Sequence, residues 1–193
     1  MTALLNTYLR LADGLNKADW LVPTFARFIF AATLVGYFWN SALTKVGDGL
    51  FGVFSPALGA YAQIFPKAFE ALGYDTDAMG LFHWAVVVAG TLAEFILPLL
   101  IAVGLFTRLS SLAMVGFVVV QSLTDLYGHG GIAHAETLGA LFDRFPDSVI
   151  LDQRGFWMLA LLVLIIKGAG PLSLDRLLLS KSGTSARPVS QPQ

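Results

Sequence analysis

The chain has 193 residues, of which 56% are hydrophobic and only 13% are charged, and its mean hydropathy is +0.71. Soluble domains carry about 25% charged residues, so this composition excludes an ordinary soluble domain and predicts a single integral membrane domain. The net charge of −1 argues against a nucleic-acid partner. The chain has no cysteine, which excludes disulfides, thiolate metal sites and thiol catalysis.

The N-terminal segment alternates charged and apolar residues at helical spacing. Its apolar positions are Leu4, Leu5, Tyr8, Leu11, Ala12 and Leu15. This pattern predicts a short helix that either lies on the membrane surface or packs against the rest of the protein. The first twenty residues contain no long apolar run, so they do not resemble a secretory signal.

Four later segments are long and apolar enough to cross a bilayer, which takes roughly 20 residues as a helix. The predicted spans are residues 21–44, 79–106, 109–126 and 154–169. The short link between the second and third spans predicts an antiparallel hairpin. We therefore predict an all-α four-helix membrane bundle built by residues 1–177, followed by a disordered tail at 178–193.

Two long segments separate these spans, and loops of such length usually have structure or function of their own. In residues 46–78, a Ser55-Pro56 start and a break at Pro66 predict one or two short interfacial helices. In residues 127–153, glycines mark a turn, and the apolar residues from Ile132 to Phe145 predict another short amphipathic helix.

Lys and Arg concentrate on one side of the predicted bundle. Of the 12 Lys and Arg residues, eight lie in the N-terminal segment, at the start of the first span, in the link between the second and third spans, and in the C-terminal part. The two long loops hold the other four. An excess of Lys and Arg marks the cytoplasmic side of membrane proteins. Both termini are therefore predicted to be cytoplasmic, with both long loops and all three histidines on the outside.

The second span contains a carboxylate, Glu94, near its middle. A charge there costs at least about 2.5 kcal/mol in lipid, so it normally faces protein or water. Helical spacing places Val87, Thr91 and Pro98 on the same face, with His83 about 16 Å away along the helix. Pro98 frees the carbonyl group of Glu94 from its usual hydrogen bond, which favours a polar pocket.

Arg27, Glu94 and Arg108 form the first candidate group, because they lie on helices that should be neighbours. One interpretation is a structural ion pair that fixes the register of the helices. The other is a charged site for an anion, a proton or the headgroup of a quinone.

A second candidate group consists of polar residues at the outer ends of the first three spans. Its predicted ligand or proton contacts are Asn40, Lys45, His83, Gln121 and Asp125, with Ser41 beside them. Such a cup between helices is a common place for a small-molecule site. The alternative is ordinary hydrogen bonding between helices.

The outer glycine-rich loop supplies a third candidate group, His129, His134 and Glu136. Imidazole and carboxylate groups bind zinc or copper(II), and they also relay protons. The alternative is a polar loop that simply faces water.

Three motifs in sequence resemble the DoxX family of small membrane proteins. The run AEFILPLLIAVGLFTRLSSL at residues 93–112 resembles the family's alanine–glutamate to threonine–arginine–leucine hairpin. Arg27-Phe28 and Lys45 resemble the basic residues that flank its first helix. Residues 168–175, GAGPLSLD, resemble its closing glycine–proline and serine–leucine–aspartate signature. The resemblance extends to about residue 177.

This resemblance implies a four-helix inner-membrane protein of bacteria or archaea. Some members are linked to quinone-dependent sulfur oxidation and others to membrane redox complexes. The expected function is thus an accessory, quinone-facing subunit of a redox system, acting with other membrane or periplasmic proteins. The alternative from the residues is a non-enzymatic protein that handles copper or zinc, or anchors a partner, through its outer loop. Whether the chain is itself an enzyme or forms a homo-oligomer stays open.

Overall fold

A computed structural model describes residues 2–181, and over this range the protein is all-helical, which confirms the predicted fold class. The α-helices are α1 (Thr2–Lys17), α2 (Leu21–Leu43), α3 (Leu58–Ile64), α4 (Pro66–Ala71), α5 (Leu81–Val103), α6 (Thr107–Leu123), α7 (Ala135–Leu138), α8 (Gly155–Lys167) and α9 (Leu174–Lys181). Single 3₁₀ turns occupy Gly52–Phe54 and Gly131–Ala133, and π-helical turns occupy Thr124–Gly128 and Val149–Arg154.

Within the described residues, four helical segments are long and apolar enough to span a membrane, as expected of a multi-pass membrane protein. They are Leu21–Leu43, Leu81–Val103, Thr107–Gly128 and Val149–Lys167. The first two lie within three residues of their predicted bounds at each end. The last two are longer at their loop ends because a π-helical turn extends α6 and another precedes α8.

These four spans form a ring. α2 packs against α5 and α8, and α6 packs against the same two helices. The chain runs through the bundle four times in alternating directions, so neighbouring helices in the ring are antiparallel. We call the end that carries α1 and α9 the terminal side, and the end that carries α3, α4 and α7 the loop side.

Apolar side chains fill the centre of the ring. The buried members of this core are Phe30, Leu34, Phe38, Ile101, Met114, Val118, Leu161 and Leu164. The ring of Phe38 meets Phe117 and Trp157 edge to face, with ring centroids 6.0 and 5.9 Å apart. The space at the centre of the four helices is therefore a packed core, and any cavity must lie beside this core.

The first long loop folds over the loop end of α5. Its apolar residues form a second buried cluster of Ala60, Tyr61, Phe69, Met79 and Val87. The indole of Trp84 donates a hydrogen bond to the carbonyl oxygen of Phe54, 2.9 Å away. The predicted short helices are present as α3 and α4, but the predicted start at Ser55-Pro56 is wrong, because α3 begins at Leu58. Pro66 begins α4, where its missing N–H is harmless.

The second long loop contains less helix than predicted. Only Ala135–Leu138 is α-helical, and the chain then turns at Gly139, whose φ is +80°. A β-carbon on Gly139 would also collide with the side chain of Ser148. The amphipathic helix predicted to run to Phe145 is therefore wrong beyond Leu138, because a left-handed glycine ends it.

On the terminal side, Asp175 at the start of α9 caps the start of α6. Its carboxylate accepts hydrogen bonds from the backbone N–H groups of Phe106 (2.7 Å) and Thr107 (2.9 Å). Its own N–H donates to the carbonyl oxygen of Gly104, 2.8 Å away. α9 continues to Lys181, past the predicted start of the tail at residue 178, and the remainder of the predicted tail lies outside the described residues.

The substitution Asp175→Ala is expected to lower the free energy of unfolding by about 1–2 kcal/mol, because it removes a charged cap from the first turn of a helix. Equilibrium unfolding in detergent measures the change. The matched control is Asp19→Ala, since Asp19 pairs with Lys167 on the exposed surface and such pairs contribute a few tenths of a kcal/mol. Equal losses in the two variants would contradict the capping role.

Candidate functional site

A cavity of about 650 Å³ lies between α5 and α6 and extends to the end of α2. Small residues on the two facing helices leave this space open. They are Ala89, Gly90 and Ala93 on α5, and Ala113 and Gly116 on α6. Gln63 and Ile64 of α3 line the loop-side end. The volume falls in the range of small-molecule sites.

A buried ion pair forms part of the cavity wall. The Nζ atom of Lys45 lies 2.9 Å from Oε2 and 3.1 Å from Oε1 of Glu94. Only 5% of the Lys45 side chain and 4% of the Glu94 side chain are exposed. Glu94 is therefore shielded from lipid by protein, as the cost of a bare charge in the membrane requires.

Ser41 completes this cluster from α2. Its hydroxyl donates to Oε1 of Glu94 at 3.0 Å and accepts from Lys45 at 2.7 Å. The ammonium of Lys45 also donates to the backbone carbonyl oxygen of Ser41 at 3.0 Å. The cluster is thus fully hydrogen-bonded and has no net charge, while it offers a cationic donor and an anionic acceptor side by side.

The cation beside Glu94 is Lys45, and neither Arg27 nor Arg108 reaches it. The guanidinium of Arg27 donates to the carbonyl oxygen of Leu172 on the terminal side. Arg108 is exposed, and Gly168 leaves room for it there. Arg27 shares a helical stripe with Lys45, but 18 residues of helix separate them by about 27 Å. The predicted group of Arg27, Glu94 and Arg108 is therefore wrong, and Glu94 pairs with Lys45 instead.

A second cavity of about 470 Å³ adjoins the first on the loop side. The two share five lining residues, Ser41, Gln63, Gln121, Asp125 and His129. The remaining lining residues are mostly polar: Tyr37, Gly131, His134, Thr137, Val149 and Arg154. We call this second space the polar chamber. It connects the apolar cavity between α5 and α6 with the loops.

Asp125 and Arg154 form a second ion pair in the wall of the polar chamber. A nitrogen of the Arg154 guanidinium binds Oδ2 of Asp125, and its Nη1 donates to Ser122 Oγ at 2.9 Å. Each partner lies on a π-helical turn, Asp125 at the end of the third span and Arg154 at the start of the fourth. Such turns often accompany functional sites. Asp125 was a predicted contact residue, whereas Arg154 was not singled out.

Gln121 and His129 also lie where the two cavities meet. The Gln121 amide nitrogen donates to Tyr37 Oη at 3.1 Å, and its buried Oε1 has no protein partner. A ring nitrogen of His129 lies 3.0 Å from the carbonyl oxygen of Gln63. The Oε1 of Gln121 is therefore a buried acceptor without a protein donor, close to the place where the two cavities meet.

The other predicted contact residues lie elsewhere. Asn40 is exposed. The ring of His83 packs edge-on against Phe65, with centroids 4.8 Å apart, and it lines neither cavity. Because α3 and α4 cover the loop end of α5, His83 faces Phe65, which joins these two helices, and Phe82 of its own helix, and not the polar chamber.

The predicted metal-binding residues are only partly assembled. His134 Nδ1 lies 3.6 Å from a carboxylate oxygen of Glu136, and both side chains are exposed. His129 instead faces Gln63. Among residues 2–181, no three His, Cys, Asp or Glu side chains converge as metal ligands would.

Comparison with models of known protein families, with curated proteins and with solved structures finds no match to this chain. The geometry of the two cavities is therefore the structural basis for a functional proposal.

Proposed function

We propose that this protein binds the headgroup of a membrane quinone in the cavity between α5 and α6, and that it acts as an accessory subunit of a redox system together with partner proteins. The observation that carries the proposal is the buried, neutral cluster of Lys45, Glu94 and Ser41 in the wall of an apolar cavity.

Because the charges of Lys45 and Glu94 cancel, the cluster favours a ligand that is itself neutral. A ligand with net charge would add an unpaired charge to a buried site, which is costly. A neutral ring with carbonyl or hydroxyl groups adds none. Its oxygen can accept from Lys45 in place of the Ser41 hydroxyl, and a hydroxyl can donate to the free Oε1 of Gln121. Quinones and quinols fit this description.

The resemblance to the DoxX family supports the redox role and the need for partners. A bound quinone would supply two-electron chemistry, and this chain's residues would hold and orient it. Because the polar chamber shares Gln121, Asp125 and His129 with the cavity, it gives the cavity a polar connection toward the loop side. By the distribution of Lys and Arg, that side faces away from the cytoplasm.

The double variant K45M/E94M tests the headgroup site. It is expected to weaken binding of a tail-less benzoquinone at least tenfold, because one hydrogen bond to a charged group contributes about 1.5–3 kcal/mol and 1.4 kcal/mol is tenfold in Kd. Equilibrium titration of the purified protein in nanodiscs measures the Kd.

The matched control is D19N/K167Q, which neutralises an exposed ion pair on the terminal side. Its Kd should equal that of the unmodified protein. An unmodified protein that binds no quinone, or a folded K45M/E94M protein with unchanged Kd, would refute the assignment.

A further inference from the structure

The cavity between α5 and α6 opens on the outer surface of the bundle. Ala89 on α5 and Ala113, Gly116 and Val120 on α6 all line the cavity, yet all four are exposed residues of membrane-spanning helices. Val120 has 62% of its surface exposed. The wall therefore has a gap where the cavity meets the surroundings of the protein.

The depth of this gap shows what surrounds it. Gly116 lies nine residues from Thr107, about 14 Å along a helix, in a span that runs from Thr107 to Gly128. This position is near the middle of the span, at the level of the lipid acyl chains. We therefore expect the gap to face hydrocarbon and not water.

Both ends of the gap are closed by protein. On the terminal side, the short link from Gly104 to Phe106 joins α5 to α6, and Asp175 binds this link. On the loop side, α3 lies across the space, where Ile64 is the nearest side chain to Gly90, 3.7 Å from the position of an added β-carbon. The gap is therefore a bounded window.

We propose that this window is a lateral portal for the isoprenoid tail of the quinone, an inference that rests on the headgroup site proposed above. A ring bound at Lys45 and Glu94 occupies the inner part of a cavity of about 650 Å³. A long tail must then leave the cavity. Of the two ways out, the polar chamber is lined by charged and amide groups, whereas the portal is lined by alanine, glycine and valine. The tail takes the apolar way.

The substitution Gly116→Trp tests the portal directly. A β-carbon at this position meets no atom within 4 Å, so a side chain can begin here without displacing the backbone, and an indole is large enough to fill the window. The matched control is Gly36→Trp. Gly36 is also exposed in a spanning helix with open space around it, but it does not line the cavity.

Two ligands separate the tail from the headgroup: a tail-less benzoquinone and the same ring with a long isoprenoid tail. In G116W, the Kd for the tailed quinone is expected to rise at least tenfold more than the Kd for the tail-less ring. G36W should leave both values unchanged. Unchanged binding of both ligands by G116W, or an equal loss of both, would overturn the portal.

Native mass spectrometry of protein extracted from membranes provides a readout that needs no added quinone. The unmodified protein and G36W are expected to retain one tailed molecule that G116W loses. If the unmodified protein binds no quinone but shows this pattern of retention, the headgroup proposal fails, and the window admits the tail of another lipid and not that of a quinone. The opposite result is also possible: the unmodified protein binds the tail-less quinone, but G116W changes neither the Kd for the tailed quinone nor the amount of retained molecule. In that case the portal fails and the headgroup site stands.

Discussion

Replacing Lys45 alone by methionine is expected to lower the free energy of unfolding by about 3–5 kcal/mol, because it leaves the carboxylate of Glu94 buried without a cation. Lys45 is the residue that binds both carboxylate oxygens, and Ser41 contacts only one of them. Replacing Glu94 alone should cost a similar amount, since it leaves the ammonium of Lys45 buried. Unfolding titrations in detergent measure both losses.

The double variant K45M/E94M is expected to regain most of this stability. Two methionines have nearly the volume of the pair they replace, and buried ion pairs are often no more stabilising than apolar residues of the same shape. A double-mutant cycle measures this effect, and the two single losses in the free energy of unfolding are expected to be strongly non-additive. Additive losses would show that the two charges do not interact in the protein.

This cycle also separates the two interpretations of the ion pair. If the pair only fixed helix register, a stable double variant would keep every other property of the protein. Under the proposed function, the same variant is stable and has lost quinone binding. Because stability and binding are measured on one protein, a loss of binding cannot be attributed to unfolding.

The sequence predicts the spans well because hydropathy over some twenty residues is a strong signal. It also predicts correctly which face of α5 is buried, since Val87, Thr91, Glu94 and Pro98 are all buried in the structure. Period 3.6 and the cost of a charge in lipid are sufficient for that conclusion.

The partner of Glu94 is harder to predict. Helical spacing places Arg27 and Lys45 on one stripe of the first span, so the face alone does not distinguish them. Depth counted from the helix ends does not distinguish them either, because Glu94 lies closer to the terminal end of α5 than to its loop end. The pairing with Lys45 depends on how far α5 is offset along α2, which only the packed structure shows. Glu94 meets α2 near Ser41, as the hydrogen bond from Trp39 to the Phe95 carbonyl oxygen also shows.

The polar chamber was only partly predictable. Gln121 and Asp125 follow from the helical spacing of α6, but Arg154 does not, since its position depends on the π-helical turn before α8. One signal was available: Arg154 is a basic residue at the loop end of a span, on a side with few Lys or Arg. The gap between α5 and α6 carries no such signal, because small residues more often indicate close helix contact.

The pair formed by Asp125 and Arg154 should respond unequally to removal of each partner. Only 4% of the Arg154 side chain is exposed, compared with 32% of Asp125. Asp125→Leu leaves a buried guanidinium without its carboxylate, and the expected loss is about 3 kcal/mol. Arg154→Met leaves a carboxylate that water partly solvates, and the expected loss is about 1–2 kcal/mol.

This asymmetry distinguishes a buried cation held by a carboxylate from a surface ion pair, whose two substitutions would cost similar small amounts. The conservative variant Asp125→Asn provides the control, because an amide oxygen can still accept from Arg154 while its charge is lost. We expect its stability to lie between that of Asp125→Leu and the unmodified protein. Since the pair lines the chamber at the loop ends of the third and fourth spans, an equal response to all three substitutions would mean that Arg154 is solvated from the chamber, and the chamber would then be open to water at that depth.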